Sequence, residues 1–341
     1  MKAPERINLL RDKLGICQWF HFQDYQAVER TLALIDELKL RNLRTGISWA
    51  DYYRPGGKQW YDWQMKQVAR LDVLLSIWHT PPSIAEGGAC NGPPKRLRDY
   101  ADFIDLVFND YGDAFNHLEL WNEPNNRLKW NFLEHDPQWR KFGQMVRDAA
   151  HWAKQCGGRT VLGGMIPVDH HWLALMHDNG VLEHVDVIGI HGFPGMWFPH
   201  NPNWDWHDKW QGWASKIDYI RAHAGGRPIW VTETGVATWD LAHHREAKYD
   251  LQVKLLREAA AAPAERVYWY QMIDLDPARE AIEGFHVDEN EYHLGLVKHD
   301  GHRKHAFGEM KSLLSPNGPE AEPRSFDKPT GGRRPCHNGS A

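Results

Sequence analysis

Eight short apolar runs, separated by stretches of helical period, constrain this chain more than any other feature. They are GICQWF (15–20), LRTGISW (43–49), DVLLSIW (72–78), HLELWNE (117–123), TVLGGMIP (160–167), DVIGIHGF (186–193), PIWVTETG (228–235) and RVYWYQMID (266–274). Several are nearly continuous in Val, Ile, Leu and aromatic residues, as parallel strands buried on both faces must be. Between them, DYQAVERTLALIDELKL (24–40) sets Val28, Leu32, Ile35 and Leu38 on one stripe, with Glu29, Arg30, Asp36 and Glu37 facing away. KYDLQVKLLREAAAA (248–262) does the same with Leu251, Leu255 and Ala259. Strand and helix alternating eight times predict an α/β chain, and the length fits a single-domain closed (β/α)8 TIM barrel. A doubly wound open sheet is the alternative. It would normally show a Gly-rich turn after its first strand, and none follows GICQWF.

The barrel is expected to occupy 1–314. Beyond it, SPNGPEAEPRSFDKPTGGRRPCHNGSA (315–341) is rich in Pro, Gly and charge without apolar period, and reads as a disordered tail or linker. The net charge of -5 comes with no basic stripe, which argues against nucleic acid as a partner. No apolar run approaches the roughly 20 residues of a membrane span. The N-terminal MKAPERINLLRDKLG is charged throughout and lacks a signal-peptide core. Cys17, Cys90, Cys156 and Cys336 are far apart, form no C-x-x-C pair and do not read as a disulfide framework. A reduced, cytoplasmic protein is therefore expected, its oligomeric state left open.

In a (β/α)8 barrel the chemistry sits at the C-terminal ends of the strands. Glu123 ends the fourth run and Glu233 the seventh. Strands four and seven lie nearly across the mouth of such a barrel, so carboxylates at their ends can face one another. Ile229, Val231 and Glu233 share a strand face, so Glu233 can crown an apolar inner column. In the fourth run Glu119, Trp121 and Glu123 share a face, so Asn122 reaches the mouth only through a twist or bulge. Two facing carboxyl groups are what glycoside hydrolysis needs: one protonates the leaving oxygen, the other attacks the anomeric carbon or activates water. Asn122 would bond the neighbouring sugar hydroxyl. Taken singly, Asn-Glu-Pro is also an ordinary turn and the Glu of VTETG an ordinary helix cap.

LELWNEPN and IWVTETG resemble the two signatures of clan A glycoside hydrolases, retaining (β/α)8 enzymes with β-xylosidase-like members. That resemblance implies Glu123 as acid/base and Glu233 as nucleophile, with carboxyl groups about 5–5.5 Å apart. It implies that Arg44 in LRTGISW steadies the nucleophile and that His79 in IWHTPPS contacts sugar. His191 in DVIGIHGF would approach the nucleophile, and Trp269 in YWYQMID would floor the subsite of the reacting sugar. Glu123 is expected to hold its proton to higher pH than Glu233, through mutual repulsion and the Arg44 charge. A small β-linked glycoside or short oligosaccharide is the expected substrate, with a weak lean towards β-xylosides.

The segment HGFPGMWFPHNPNWDWHDKWQGW (191–213) holds five of the chain's 18 tryptophans. Indole faces stack on sugar C–H faces, so Trp197, Trp204 and Trp206 are candidates to wall a pocket. Trp210 and Trp213, three apart, read instead as a buried helical stripe. His21, His79 and His191 could gather near the mouth, but no H-E-x-x-H occurs and no H-x-H ends the first run, so neither metal nor other cofactor is expected. The competing functions are a non-catalytic carbohydrate-binding barrel and a metal-dependent barrel hydrolase.

Overall fold

A computed structural model describes residues 9–194, 196, 210–281 and 289–315. The tail beyond Ser315 and the loop residues Trp197, Trp204 and Trp206 lie outside the described residues. The barrel strands are β1 (Leu14–Cys17), β2 (Asn42–Ser48), β3 (Asp72–Trp78), β4 (His117–Leu120), β5 (Arg159–Met165), β6 (Val187–Gly192) and β7 (Ile229–Thr234). A small antiparallel pair, β8 (Trp239–Asp240) and β9 (Arg245–Glu246), precedes the eighth barrel strand, β10 (Val267–Tyr270). The eight close into a parallel barrel in the order β1-β10-β7-β6-β5-β4-β3-β2. All seven residues of β2 and all six of β6 and β7 are buried, as strands covered on both faces require.

Helices alternate with the strands: α1 (Tyr25–Leu38), α2 (Gly57–Val68), α3 (Arg98–Tyr111), α4 (Arg140–Gln155), α5 (His170–Asp178), α6 (Gly212–Arg221), α7 (Tyr249–Ala261) and α8 (His305–Leu313). In α1 the Asp24 carboxylate accepts from Ala27 N (3.0 Å), capping the first turn, and Lys39 ends the helix in the left-handed region. Its buried stripe is Val28, Leu32, Ile35 and Leu38, joined by Thr31. Burial of such aliphatic side chains contributes roughly 1.5–3 kcal/mol each. In α7 the stripe is rotated from the expected one. Gln252, not Leu251, is buried, because its amide donates to the carbonyls of Val236, Leu294 and Gly295. Among the described residues, no helix is long and apolar enough to cross a membrane.

Two compact units make up the described chain, residues 46–189 with 220–229 and the remainder. The first holds much of the tryptophan. Trp49 stacks on Phe103 (5.5 Å), and Trp121 meets Tyr100 and Trp130 edge-on. The chain of rings continues through Phe142 to Trp139 and Trp172. Much of the tryptophan is thus packing, not ligand surface. In the second unit Trp213 is buried in α6, but Trp210 precedes the helix and is half-buried, packing edge-on against Trp213 (5.2 Å), so the expected buried helical stripe holds for Trp213 and not for Trp210.

Candidate active site

β7 delivers Glu233 as alternation anticipates. Ile229 and Val231 line its face, while Trp230 turns the other way, beneath the Arg266 guanidinium and hydrogen-bonded to Glu265. The register to β10 shifts between Val267–Val231 and Trp269–Thr234, so an irregularity falls beside Glu233. Arg44, on β2, has a side chain with no exposed surface, and its Nη1 donates to Glu233 Oε2 at 2.7 Å. The His191 Nδ1 lies 3.9 Å from the same oxygen. Beneath the guanidinium, the Trp19 ring lies 4.8 Å away. Three of the residues singled out from the sequence, Arg44, His191 and Glu233, therefore meet at one carboxylate. Trp269, on β10, is buried with Ile16 and Thr234 as its register neighbours.

Sequence reasoning missed a fourth group here. The Cys17 Sγ lies 3.6 Å from Glu233 Oε2 and 3.1 Å from Arg44 Nη1. Its only signal was its place near the end of the first apolar run. Among the described residues, Cys17 and Cys90 are thiols outside any disulfide.

Glu123 is delivered differently. β4 stops at Leu120, and Trp121 and Glu123 both take left-handed backbone conformations (φ 79° and 47°). These turns break the alternation, which removes the conflict over Asn122. The Trp121 carbonyl is pressed against β5, where a Cβ on Gly163 would meet it at 1.5 Å, so only glycine fits. The Trp121 indole N–H donates to the Lys129 carbonyl (3.0 Å), pinning the loop. Asn126 Nδ2 donates to Glu123 Oε2 (3.0 Å) and its N–H to the Glu123 carbonyl. Asn125 ties the turn to the next strand's exit, accepting from Ile166 N and donating to the Pro167 carbonyl. Asn122 and Glu123 are both buried. Asn126 and Lys129 were missed, although Asn126 stands three residues after Glu123, where a turn brings it back.

His79 follows β3 in a left-handed conformation (φ 64°). Burial, aided by the nearby Lys129 charge, pushes its pKa down to about 3, so its ring is neutral near pH 7. A neutral ring can accept as well as donate, which suits contact with a hydroxyl.

A separate cluster lies around the β8–β9 pair. Glu246, Asp274 and His293 bring one ligand atom each within 4.8 Å of one another, the spacing of a cation site. The buried Lys304 ammonium bonds both Asp274 oxygens (2.8 and 2.7 Å), the Thr238 hydroxyl and the His293 carbonyl, and supplies the positive charge itself.

What the fold defines is a closed (β/α)8 barrel with buried carboxylates at the exits of β4 and β7. No family model and no curated protein matches the chain. Solved structures do, and they include glycoside hydrolases named as GH5_18, family 39 and GH2 members, at low identity. A GH5_18 from Bifidobacterium longum subsp. infantis shares 15% identity at a TM-score of 0.65, over 89% of this chain and 78% of its own. A monomeric β-xylosidase from Caulobacter crescentus shares 16% at 0.59, over 88% and 67%. A GH2 β-galacturonidase from Eisenbergiella tayi, bound to galacturonate, shares 14% at 0.56, over 88% and 50%. This chain thus spans about half the length of that last protein.

Proposed function

We propose that the barrel, over residues 1–314, is a retaining glycoside hydrolase acting on a β-linked glycoside or short oligosaccharide. The observation that carries the reading is the buried Arg44–Glu233 ion pair at the exit of β7 (2.7 Å). An ionised carboxylate kept buried at a strand exit needs a cation to hold it there, and that is the state a nucleophile must be in. Glu123, at the exit of β4 in the same parallel barrel, is the acid/base.

In the first step a Glu233 oxygen attacks the anomeric carbon while Glu123 gives its proton to the glycosidic oxygen. The C–O bond to the leaving group breaks and a glycosyl ester forms. In the second step Glu123 takes a proton from water, the water oxygen attacks the same carbon, and Glu233 leaves as carboxylate. Two inversions give retention. Arg44 and His191 orient the Glu233 carboxylate, while Asn122 and neutral His79 bond sugar hydroxyls. Trp269 offers a stacking face. The fold neighbours, which include a β-xylosidase and a β-galacturonidase bound to galacturonate, support a sugar substrate.

The test is turnover of a panel of aryl α- and β-glycosides by the wild type, Glu233→Ala and Glu123→Ala, each with and without azide. Expected is hydrolysis of one β-glycoside, lost in Glu233→Ala and restored by azide as an α-glycosyl azide. Glu123→Ala should give the β-azide instead and lose the basic limb of the pH profile. An active Glu233→Ala without azide would overturn the assignment. Sugar binding without turnover on every glycoside would favour a binding barrel, and loss of activity to a chelator would favour a metal-dependent hydrolase.

A further inference from the structure

The double displacement gives no work to Cys17, yet this thiol touches the proposed nucleophile. The residue ends β1 and is fully buried. Parallel register places it opposite Arg44 on β2, so thiol and guanidinium sit side by side under one carboxylate oxygen. The contacts run from Arg44 Nη1 to Sγ (3.1 Å) and from Sγ to Glu233 Oε2 (3.6 Å), while Nη1 also bonds that oxygen directly (2.7 Å).

The directions of these bonds follow from the donor inventory. A guanidinium has no acceptor, so in its contact with Arg44 the sulfur accepts. An ionised carboxylate has no proton to give, so the S–H points to Oε2. Accepting from a cation polarises the S–H and strengthens the bond it donates. We infer that Cys17 is a positioning residue for Glu233: an Arg44-polarised thiol that donates to Oε2, fixes the carboxylate's rotation and favours its ionised form. The inference rests on the reading of Glu233 as nucleophile for its catalytic consequence, but not for the contact itself. Among the described residues, Arg44 from β2, Cys17 from β1 and His191 from β6 face Glu233, and Glu123 after β4 joins them in the proposed reaction.

Two measurements test it separately. The infrared S–H stretch of Cys17, identified by difference against Cys17→Ala, should lie at the low frequency of a donating thiol and move up in Glu233→Ala. A band unmoved by Glu233→Ala would overturn the hydrogen bond, whatever the protein's activity. With a glycoside substrate in hand, Cys17→Ala should raise the acidic limb of kcat by roughly half to one pH unit, the size of one lost hydrogen bond. Cys17→Ser, which keeps an acceptor and a donor, should restore much of that shift. An acidic limb equal in all three proteins would overturn the positioning role even if the band moves. A moved band in a protein without glycosidase activity would instead sink the catalytic reading and keep the contact.

Discussion

Arg44→Met tests the energetic centre of the site. It keeps most of the aliphatic stem and removes the guanidinium, which lies over Trp19, from a pair in which neither side chain is more than 8% exposed. Leaving one charge of such a pair buried and uncompensated costs about 3–5 kcal/mol. Unfolding entropy of about 2.1 cal/mol/K per residue gives a chain of 341 residues about 0.7 kcal/mol/K. The melting temperature of Arg44→Met should therefore fall by roughly 4–7 °C. Glu233→Gln should also lose stability, because it strands the Arg44 cation. The double variant carries neither charge, so its loss should be well below the sum of the single losses, by about 2 kcal/mol or more. Calorimetry on the four proteins reads this directly. Losses that add would refute the argument, as would an Arg44→Met that melts with the wild type.

Gly163→Ala should lower the urea midpoint by the equivalent of about 3 kcal/mol, the upper end for overpacking, because its Cβ meets the Trp121 carbonyl at 1.5 Å. The control is Gly308→Ala on α8, where a Cβ meets nothing within 4 Å; it should gain about 0.5–1 kcal/mol. Equal midpoints for the two would show that the Trp121 turn is not held by close approach. Glu246 is opposed by burial, yet its bond from Tyr249 and the charges of Lys304 and Lys298 hold its pKa at about 2 against an ordinary 4.5. A depressed carboxyl contributes stability above its unfolded pKa and loses it as pH falls through the folded value. Glu246→Gln should thus melt below the wild type at about pH 6, and the gap should close between pH 4.5 and about 2. A gap constant across that window would contradict the assigned cause.

Much of the fold was legible because burial on both faces writes a strand as an apolar run. All eight runs hold barrel strands, although β4 is shorter than its run: the strand stops at Leu120 where HLELWNE continues to Glu123. The carboxylates at the exits of β4 and β7 were legible too, not singly, since a turn or a helix cap explains each alone, but as a pair ending the fourth and seventh of eight runs. The packing of tryptophan against other rings was not legible, because composition says nothing about which rings stack on other rings. The Leu251 stripe misled for a related reason: the helical period alone could not show that Gln252 has three carbonyls waiting for it in the layer beneath.

Periodicity along the chain alone determined the alternation, the parallel pairing and the strand exits, since each depends on neighbours a few residues away. Which residues meet across strands was decided by tertiary structure. Register set Cys17 beside Arg44, and barrel closure carried β7 to β10, one strand from β1, so that both reach one oxygen of Glu233. Two left-handed residues and a glycine on the next strand turned Glu123 out of its alternation. Contacts of that kind join residues tens to hundreds of positions apart, and their energies depend on distances that no local pattern encodes.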